Sequence, residues 1–390
     1  MTHGKLAHRI SAVRAVKWDI FCSVVDNFGD IGVTWRLAKQ LVAEHNGVVR
    51  LWVDDVSAFA RICPAADANA DCQVQQGVAV HAWHEQWLDT DPADVVVEGF
   101  ACHLPEAYIA AMAARERKPL WLNLEYLSAE EWVAGCHGLP SMQSNGLQKY
   151  FFFPGFSKDT GGLLREAALI TERQAFQAAP AARPAFLRGL GVEPVAGARL
   201  ISLFAYENPA LSSWLEALAV NRQATQLLVP EGRILADVQA WVGGEQLRAG
   251  DCRVHGQLQI NVLPFIEQSQ YDRLLWSCDF NAVRGEDSFL RAQWAGRPML
   301  WHIYSQEEGA HLDKLEAFLK RYIDGLSAPA SEALLSLWRD WNSAQSVSKS
   351  WSLWLENAEE LTVHAEKWCL EQASHTDLAA ALVQFQQNWI

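Results

Sequence analysis

The sequence predicts an α/β fold in which two sheets of mainly parallel strands are each covered by helices. Short apolar runs alternate with stretches of helical periodicity over most of the 390 residues, as expected for a doubly wound sheet. The runs are apolar throughout and not only at every second position, which is typical of parallel strands buried on both faces. The alternation occurs in two series, and the length suits two domains of ordinary size.

The first series occupies the first half of the chain. The run WDIFCSVV, residues 18–25, predicts a strand, and VTWRLAKQLVAEH, residues 33–45, has apolar residues at helical spacing. Asn46 and Gly47 then supply a helix stop signal. Further strands are predicted in VVRLWVDD, DVVVEGF, PLWLNLEYL and KYFFFPGF, and a helix in EAYIAAMAARER. We therefore expect an N-terminal α/β domain over residues 18–180, preceded by an extension, residues 1–17.

A second series follows residues 181–198, which are rich in Ala, Pro and Gly and which we expect to link two domains, with a short helix at AFLRGLG. Strands are predicted in RLISLFAY, TQLLVP, INVLPFI, CDFNAV and PMLWHIY, and helices in LSSWLEALAV, SQYDRLLWSC and FLRAQWAG. This series predicts a C-terminal domain over residues 199–360. The tail is helical and rich in tryptophan, and we expect its last helices, residues 361–390, to pack on the N-terminal domain.

Composition and charge argue against several classes of protein. No apolar run reaches the ~18–20 residues that span a bilayer, and the first residues lack the features of a signal peptide. We therefore expect a cytoplasmic protein with no membrane partner. The net charge is −14 and no Lys/Arg block occurs, which argues against a nucleic-acid partner. The eight cysteines are scattered without CxxC spacing, so we expect reduced thiols and no metal.

The segment DNFGDIG, residues 26–32, is the first candidate site. It follows a predicted strand and precedes a predicted helix, at the sheet edge where α/β proteins bind ligands. Gly29 and Gly32 allow close backbone approach or a positive φ. The segment is not GxGxxG, which argues against a nicotinamide or flavin enzyme. Two interpretations stay open: Asp26 and Asp30 stabilise a turn and a helix end by about 1 kcal/mol each, or they face a substrate.

The segment RGEDS, residues 284–288, is the second candidate site and also lies between a predicted strand and a helix. Backbone N–H groups at the helix start, together with the Ser288 hydroxyl, can bind a phosphate, and Arg284 can add a charge-assisted hydrogen bond. Glu286 and Asp287 would repel a phosphate, so at least one of them should point elsewhere, for example across a cleft. The alternative is that Ser288 or Asp287 only caps the helix.

Two aromatic motifs in the second series are candidates for binding a base. LFAYENP places Phe204 and Tyr206 on one side of a predicted strand, and LPFIEQSQYD places Phe265 and Gln268 at a junction of strand and helix. Aromatic rings can stack on a pyrimidine while an amide pairs with its edge. Aromatic residues in strands are also common in cores, so each motif alone leaves that alternative open.

Taken together and in this order, DNFGD with its flanks, LFAYENP, LPFIEQSQYD and RGEDSF resemble the EarP family, the protein-arginine rhamnosyltransferases that modify bacterial elongation factor P. The resemblance runs from about Trp18 to the C-terminal helices. It implies a GT-B architecture, with two Rossmann-like domains facing across a cleft and a nucleotide sugar bound mainly by the C-terminal one. It also implies inverting, metal-independent transfer of L-rhamnose from the co-substrate dTDP-β-L-rhamnose to one arginine of elongation factor P, which activates that factor for translating polyproline stretches.

The resemblance further implies roles for individual residues. Asp30 matches the proposed general base, Asp26 the second essential acid of the loop, and Glu286 the acid that orients the acceptor guanidinium. Eight other residues match positions of the donor site, with Phe265 near the thymine: Phe204, Tyr206, Phe265, Gln268, Arg284, Asp287, Ser288 and Tyr304.

Two other functions stay open on the sequence. One is a GT-B transferase that moves a sugar from another nucleotide sugar to a small molecule or a lipid. A neighbouring gene for elongation factor P with an arginine in the modified loop, together with genes for dTDP-rhamnose synthesis, would favour the first function. The other is a nucleotide-sugar sensor without catalysis, which would not need both acids of DNFGD.

Overall fold

The structure is a computed structural model that describes residues 15–24, 28–84, 87, 89–244, 246–305 and 309–389. This part of the chain forms two β-sheets flanked by helices. The strands in chain order are β1 (Lys17–Cys22), β2 (Val48–Val53), β3 (Cys72–Gln75), β4 (Val78–Ala82), β5 (Val95–Gly99), β6 (Leu120–Leu124), β7 (Pro140–Met142), β8 (Gln148–Phe152), β9 (Arg199–Leu203), β10 (Thr225–Pro230), β11 (Cys252–His255), β12 (Leu258–Leu263), β13 (Phe280–Arg284) and β14 (Met299–His302).

The helices lie between the strands and continue beyond the last of them. In chain order they are α1 (Gly29–His45), α2 (Val56–Ile62), α3 (Glu106–Ala114), α4 (Trp132–Cys136), α5 (Leu169–Ala178), α6 (Ala182–Gly189), α7 (Leu211–Ala219), α8 (Leu235–Trp241), α9 (Gln268–Ser277), α10 (Asp287–Trp294), α11 (Ala310–Tyr322), α12 (Ala328–Asn342), α13 (Ser348–Glu356), α14 (Ala358–Ala373) and α15 (Leu378–Trp389).

Each sheet has a parallel centre and a reversal of strand order next to its first strand. The first sheet has the order β3-β4-β2-β1-β5-β6-β8-β7 and the second β11-β12-β10-β9-β13-β14. Antiparallel pairing occurs at the edges, between β3 and β4, β7 and β8, and β11 and β12. In the first sheet, β2 lies on one side of β1 and β5 on the other. In the second sheet, β10 and β13 likewise lie on opposite sides of β9. Open α/β sheets bind ligands beside such reversal points.

The central strand β1 shows why the apolar runs predict strands correctly. Trp18 to Cys22 are all buried, since Ile20 packs with α1 on one face while Phe21 packs with Trp52 and α3 on the other. Asp19 is the polar exception in this strand. Its carboxylate accepts hydrogen bonds from Arg50 Nε at 2.6 Å and Trp52 Nε1 at 3.2 Å, so its burial is compensated.

The first helix begins earlier than its apolar periodicity predicts. α1 begins at Gly29 and not at Val33, so Asp30 belongs to its first turn and not to a loop. Gly32 N–H donates to Phe28 O at 2.9 Å, which closes that turn. The apolar periodicity does not indicate this earlier start, because the N–H groups of first-turn residues need no intrahelical partner and glycine and aspartate are therefore tolerated there. Asn46 ends the helix in the left-handed region at φ 54°, as its stop signal predicts.

Other differences concern strand ends and edges. β9 ends at Leu203, so Phe204 and Tyr206 follow the strand where the sequence placed them inside it. The short edge strands β3, β7 and β11 were not predicted, because most of their residues are exposed or half-exposed and they lack an apolar run. The short strand β4, which lies between β3 and β2, was also not predicted.

The C-terminal helices contact both halves of the molecule. α12 packs on β14 and α14 on α10, whereas α15 contacts α1. Leu378 N–H donates to Leu163 O at 3.0 Å, and the Phe385 ring lies 5.5 Å from that of Tyr150. The chain therefore returns to the first sheet at its end. Within the described ranges, no helix is both long enough and apolar enough to cross a bilayer.

Candidate active site

Segments that follow strands of both sheets line two adjoining cavities between the halves of the molecule. We call them cavity A and cavity B. Cavity A is lined by residues that include Phe28, Ile62, Phe204, Phe265, Arg284 and Ser288. Cavity B is lined by residues that include Asp30, Tyr126, Tyr304, His311 and Lys314. Gly29, Gly285 and Glu286 line both, so the two cavities meet at these residues.

Asp30 lies in the first turn of α1 and is only 3% exposed. The N-cap position belongs to Phe28, whose side chain makes no capping hydrogen bond. Tyr126 lines cavity B with Asp30, and its hydroxyl faces the Asp30 side chain, whose charge adds to the rise that burial causes in the pKa of Tyr126. Asp30 therefore contributes to cavity B and does not act as the cap that its spacing left open. Asp26 lies outside the described residues, so its role stays a prediction.

Glu286 reaches across the cleft from the second half. One of its carboxylate oxygens accepts a hydrogen bond from Leu127 N–H at 2.9 Å, in the segment after β6. Burial raises the pKa of the Glu286 carboxyl to about 8; the nearby charge of Asp30 adds to the rise and the Leu127 N–H opposes it. At neutral pH this carboxyl, beside Asp30, is therefore mostly protonated.

Asp287 also reaches across the cleft, so both acids of RGEDS contact the first half of the molecule. Its carboxylate accepts a hydrogen bond from Arg36 Nε on α1 at 3.0 Å. The same carboxylate passes close to Gly32, where an added Cβ would lie 3.3 Å from an Asp287 oxygen. Gly32 thus permits the close approach of α1 and α10, and its φ is not positive in the structure.

Gln268 is part of the same contact. Its amide donates to Gly32 O at 2.9 Å and its oxygen lies 3.3 Å from Lys39 Nζ. In this structure the amide therefore joins α9 to α1. Burial, together with the charge of Arg36, lowers the pKa of Lys39 to about 8. The predicted contact between Gln268 and a base stays a prediction.

A network of buried charges surrounds Arg36. Its guanidinium also lies 3.2 Å from Asp272, which accepts two hydrogen bonds from Arg291, at 2.7 and 2.8 Å. Arg291 further donates to Glu166 at 2.7 Å. The two arginines are 3% and 1% exposed, so their charges depend on these partners. The network fixes α1, which carries Asp30, against α9 and α10, which border cavity A.

Arg284 is the cation of cavity A. Its guanidinium lies 4.8 Å from the centre of the Phe204 ring and 4.7 Å from that of Tyr206, within the range of cation–π contact. Its Nη1 is buried and has no hydrogen-bond partner among the described residues. A buried donor without a partner is costly, so this atom is suited to bind an anion that enters the cavity.

The aromatic residues that were predicted for a donor site, and Ser288, line cavities A and B. Phe265 lines cavity A, with the Phe28 ring 5.2 Å away and the Arg61 guanidinium 5.0 Å from its centre. Ser288 is the second residue of α10, and no side chain at the Glu286 N-cap makes a capping bond. Tyr304 lies in cavity B, with its ring 5.6 Å from that of Tyr206.

Several residues of the site were missed by sequence reasoning. Tyr126 and Leu127 contact the two acids, Arg36 holds Asp287, and Lys314 lines cavity B. The sequence had placed the first two at the end of the predicted strand PLWLNLEYL, whereas β6 ends at Leu124 and leaves both in the segment that follows it. Among the described residues, no group of three or more His, Cys, Asp or Glu side chains is arranged to hold a metal ion.

The family is decided by comparison of the whole chain with known proteins. The family model for "Elongation-Factor P (EF-P) rhamnosyltransferase EarP" matches residues 18–387. The chain belongs to the EarP family. A protein-arginine rhamnosyltransferase of Pseudomonas putida is 61% identical over 371 residues, which are 95% of this chain and 98% of that relative. The resemblance found in the sequence motifs is thereby confirmed.

Solved structures confirm the fold of this EarP-family protein. One of them is described as the "Structural basis for EarP-mediated arginine glycosylation of translation elongation factor EF-P". Its sequence is 46% identical and its TM-score is 0.71, and the match covers 96% of this chain and 100% of that chain. A glycosyltransferase of Rickettsia africae, 8% identical, has a TM-score of 0.53 over 96% of this chain and 98% of that chain, which bears on the fold alone. The predicted GT-B architecture is correct.

The charge network yields a prediction for this EarP-family protein. We expect Arg36→Met to weaken donor binding several-fold, because Asp287 and Gln268 lose their fixed position beside cavity A. The melting temperature should also fall by several degrees, since breaking a buried ion pair costs about 3–5 kcal/mol. Calorimetric titration with the nucleotide sugar and thermal unfolding measure the two effects.

Arg173→Met is the matched control, because Arg173 is also a buried arginine, 1% exposed, and donates to Glu366 at 2.8 Å away from both cavities. It should lower the melting temperature but leave donor affinity unchanged. Equal donor affinities for the Arg36 variant and the wild type would refute the role given to Arg36.

Proposed function

We propose that this protein transfers L-rhamnose from dTDP-β-L-rhamnose to the guanidinium of one arginine on the N-terminal domain of elongation factor P, with inversion at the sugar carbon. One observation carries the proposal. In a chain of the EarP family, the acids Asp30 and Glu286 lie in a cavity that adjoins the unpartnered guanidinium of Arg284. An arginine acceptor needs the acids, a diphosphate leaving group needs the cation, and transfer between them needs the two next to each other.

The acceptor side is supported by the chemistry of arginine. A guanidinium has a pKa above about 12 and delocalised lone pairs, so it is a poor nucleophile and no carboxylate deprotonates it beforehand. Carboxylates can instead bind its planar fork through paired hydrogen bonds and accept a proton as the C–N bond forms. Asp30 and Glu286 share cavity B with Tyr126 and Tyr304, so an arginine entering there meets two acids between aromatic rings.

The donor side is supported by cavity A. The diphosphate would lie between Arg284 and the N–H groups at the start of α10, with Ser288 as a further donor. The thymine would lie toward Phe265, and Phe204 and Tyr206 hold Arg284 in place. Because Arg284 and the helix start already supply positive charge to the departing diphosphate, the proposal needs no metal.

The order of the groups supports inversion. The acceptor nitrogen attacks the sugar carbon from cavity B, the bond from that carbon to the diphosphate oxygen breaks toward cavity A, and Asp30 takes one proton from the guanidinium. The product guanidinium stays cationic and dTDP leaves. Attack from one cavity and departure into the other place nucleophile and leaving group on opposite faces of the sugar. Donor binding that draws the two halves together would exclude water and so limit hydrolysis of the donor.

We also propose that the chain divides into two domains joined by a linker. We propose residues 18–180 as the acceptor side and residues 199–360 as the nucleotide-sugar side, with residues 181–198 as the linker. We propose residues 361–390 as C-terminal helices, of which α15 contacts α1 of the first domain, and residues 1–17 as an extension, although its last residue, Lys17, already belongs to β1. We propose a cytoplasmic location because elongation factor P acts on ribosomes there.

The test is to incubate the protein with dTDP-β-L-rhamnose and purified elongation factor P and to map the product by mass spectrometry. We expect one rhamnose on one arginine, with the α configuration by NMR. The same reaction with elongation factor P whose acceptor arginine is replaced by lysine should give no product. Transfer to a lipid or a small molecule, with none to elongation factor P, would refute the proposal.

Arg284→Ala should weaken donor binding about tenfold or more, because a charge-assisted hydrogen bond contributes about 1.5–3 kcal/mol. Ser288→Ala should weaken it by a smaller factor, since a neutral hydrogen bond contributes about 1 kcal/mol. Calorimetric titration with dTDP-rhamnose measures both changes. Arg188→Ala is the control, because Arg188 is exposed and pairs with Glu193 on the surface. Unchanged affinity in the Arg284 variant would show that the diphosphate binds elsewhere.

A further inference from the structure

We propose that Tyr126 is a positioning residue for the transfer, one that holds the Asp30 carboxylate through its hydroxyl so that one Asp30 oxygen stays directed at the acceptor guanidinium. The inference rests on the proposed function for the identity of the acceptor. It makes the segment after β6 a third part of the catalytic centre, beside the starts of α1 and α10.

The backbone places this segment at both acids. β6 ends at Leu124, and Tyr126 and Leu127 are the second and third residues after it. Leu127 N–H donates to Glu286 at 2.9 Å, and the hydroxyl of the preceding residue faces the Asp30 carboxylate in cavity B. Two consecutive residues thus contact two acids that come from opposite halves of the molecule.

The Tyr126 ring is itself held in place. It stacks on the Phe100 ring with centres 4.6 Å apart and planes at 21°. Phe100 and Ala101 both have φ of 55°, a conformation that non-glycine residues seldom adopt. Phe100 N–H donates to Leu124 O at 2.7 Å, so the unusual turn after β5 is anchored to the strand that leads to Tyr126. Strained backbone of this kind persists where the surroundings fix it, often at functional sites.

Toward the Asp30 carboxylate, the Tyr126 hydroxyl acts as the donor. Burial raises the pKa of Tyr126 above its ordinary value, and the charges of Asp30 and Glu286 raise it further, so it remains protonated at working pH. Lys314 Nζ lies 5.7 Å from the centre of the Tyr126 ring and closes the other side of cavity B. A carboxylate that accepts one hydrogen bond from Tyr126 has a fixed plane and keeps an oxygen for the guanidinium.

Tyr126→Phe tests the inference because it removes the hydroxyl and keeps the ring that stacks on Phe100. We expect kcat to fall about 10- to 100-fold, a size typical for loss of one oriented group in acid–base catalysis. The KM for the donor and the melting temperature should stay near wild-type values. Loss of the activity together with a fall in melting temperature of several degrees would mean a structural role and would overturn the proposal.

The pH profile gives a second readout. Removing a donor from a carboxylate raises the pKa of that carboxylate, so the acidic limb of kcat should move to higher pH in Tyr126→Phe. The titratable or charged groups that face Asp30 or line its cavity among the described residues are Cys22, Tyr126, Glu286, His311 and Lys314. Burial raises the pKa of the Cys22 thiol, which therefore stays neutral. An acidic limb that does not move would overturn the proposal.

A thermal double-mutant cycle tests the contact without any assay of transfer. The melting temperatures of Tyr126→Phe, Asp30→Asn and the double variant should be non-additive, because the two side chains interact. Additive shifts would overturn the proposal, even if the wild-type protein fails to modify elongation factor P. That failure would refute the proposed function separately.

Tyr150→Phe is the matched control for every readout. Its hydroxyl donates to Gln148 at 2.8 Å near the edge of the first sheet, away from both cavities. It should leave kcat, the pH profile and the additivity with Asp30→Asn unchanged. An equal loss of kcat in this variant would mean that the effect of Tyr126→Phe is not specific to Asp30.

Discussion

Asp30→Asn is expected to abolish rhamnosyl transfer to elongation factor P, by about a thousandfold or more, while donor affinity stays within about twofold. The amide keeps the shape of the buried side chain but can neither accept the guanidinium proton nor offer a negative charge, and such losses at general bases and charge-stabilising groups are typically of this size. Asp30 borders cavity B and not the base-binding part of cavity A, which is why donor binding should survive.

Mass spectrometry of elongation factor P and calorimetric titration with dTDP-rhamnose measure the two quantities. Asp159→Asn, at an exposed turn residue, is the control and should behave as wild type. Near-wild-type transfer by the Asp30 variant would remove Asp30 from the mechanism. We expect the same loss for Asp26→Asn, although Asp26 lies outside the described residues.

Glu286→Gln is expected to be inactive and yet more stable than the wild type near neutral and mildly alkaline pH. The glutamine can still accept the hydrogen bond from Leu127 N–H. Burial raises the pKa of Glu286 to about 8, from about 4.5 in an unfolded chain, so between these pH values the native carboxyl holds a proton that the unfolded chain has released. The wild type therefore loses stability as pH rises through this interval, whereas glutamine cannot ionise and avoids the loss.

The difference in melting temperature between Glu286→Gln and wild type should be small near pH 4.5, grow up to about pH 8 and then level off. At the plateau we expect a gain on the order of 5 kcal/mol, since a difference of about 3.5 pKa units is worth about 1.4 kcal/mol per unit, and a rise in melting temperature of several degrees. Thermal unfolding from pH 4.5 to 9 measures it, with Glu216→Gln on the surface of α7 as the control. A difference that does not vary with pH would show that Glu286 is ionised throughout.

Much of the fold was predictable because buried parallel strands have a simple signature. β1, β5, β6, β9, β10 and β13 are apolar along most of their length since both faces are covered, and each was found from its apolar run. The edge strand β7 has three residues, PSM, of which two are exposed, so no apolar pattern distinguishes it from a loop. The start of α1 was missed because Gly29 and Asp30 have low helix propensity away from a first turn.

The candidate site was predictable only where function follows from position after a strand. Asp30 and Glu286 lie in segments that follow β1 and β13, as the sequence predicted, and Arg284, predicted in the same loop as Glu286, is the last residue of β13. Arg36 and Leu127 depend instead on contacts with Asp287 and Glu286, which are 251 and 159 positions away in the chain. No local pattern encodes such partners, and the two halves must first be packed together before these residues acquire a role.

The helix α1 carries Asp30 toward cavity B and, further along, Gly32, Arg36 and Lys39 toward α9 and α10. An α-helix turns about 100° per residue. One inserted or deleted residue between Gly32 and Arg36 would therefore rotate the contacts of Asp30 and Gly32 relative to those of Arg36 and Lys39. Side chains in this stretch can therefore vary more readily than its length. Among functional members of the family, we expect alignment gaps to fall outside residues 29–39.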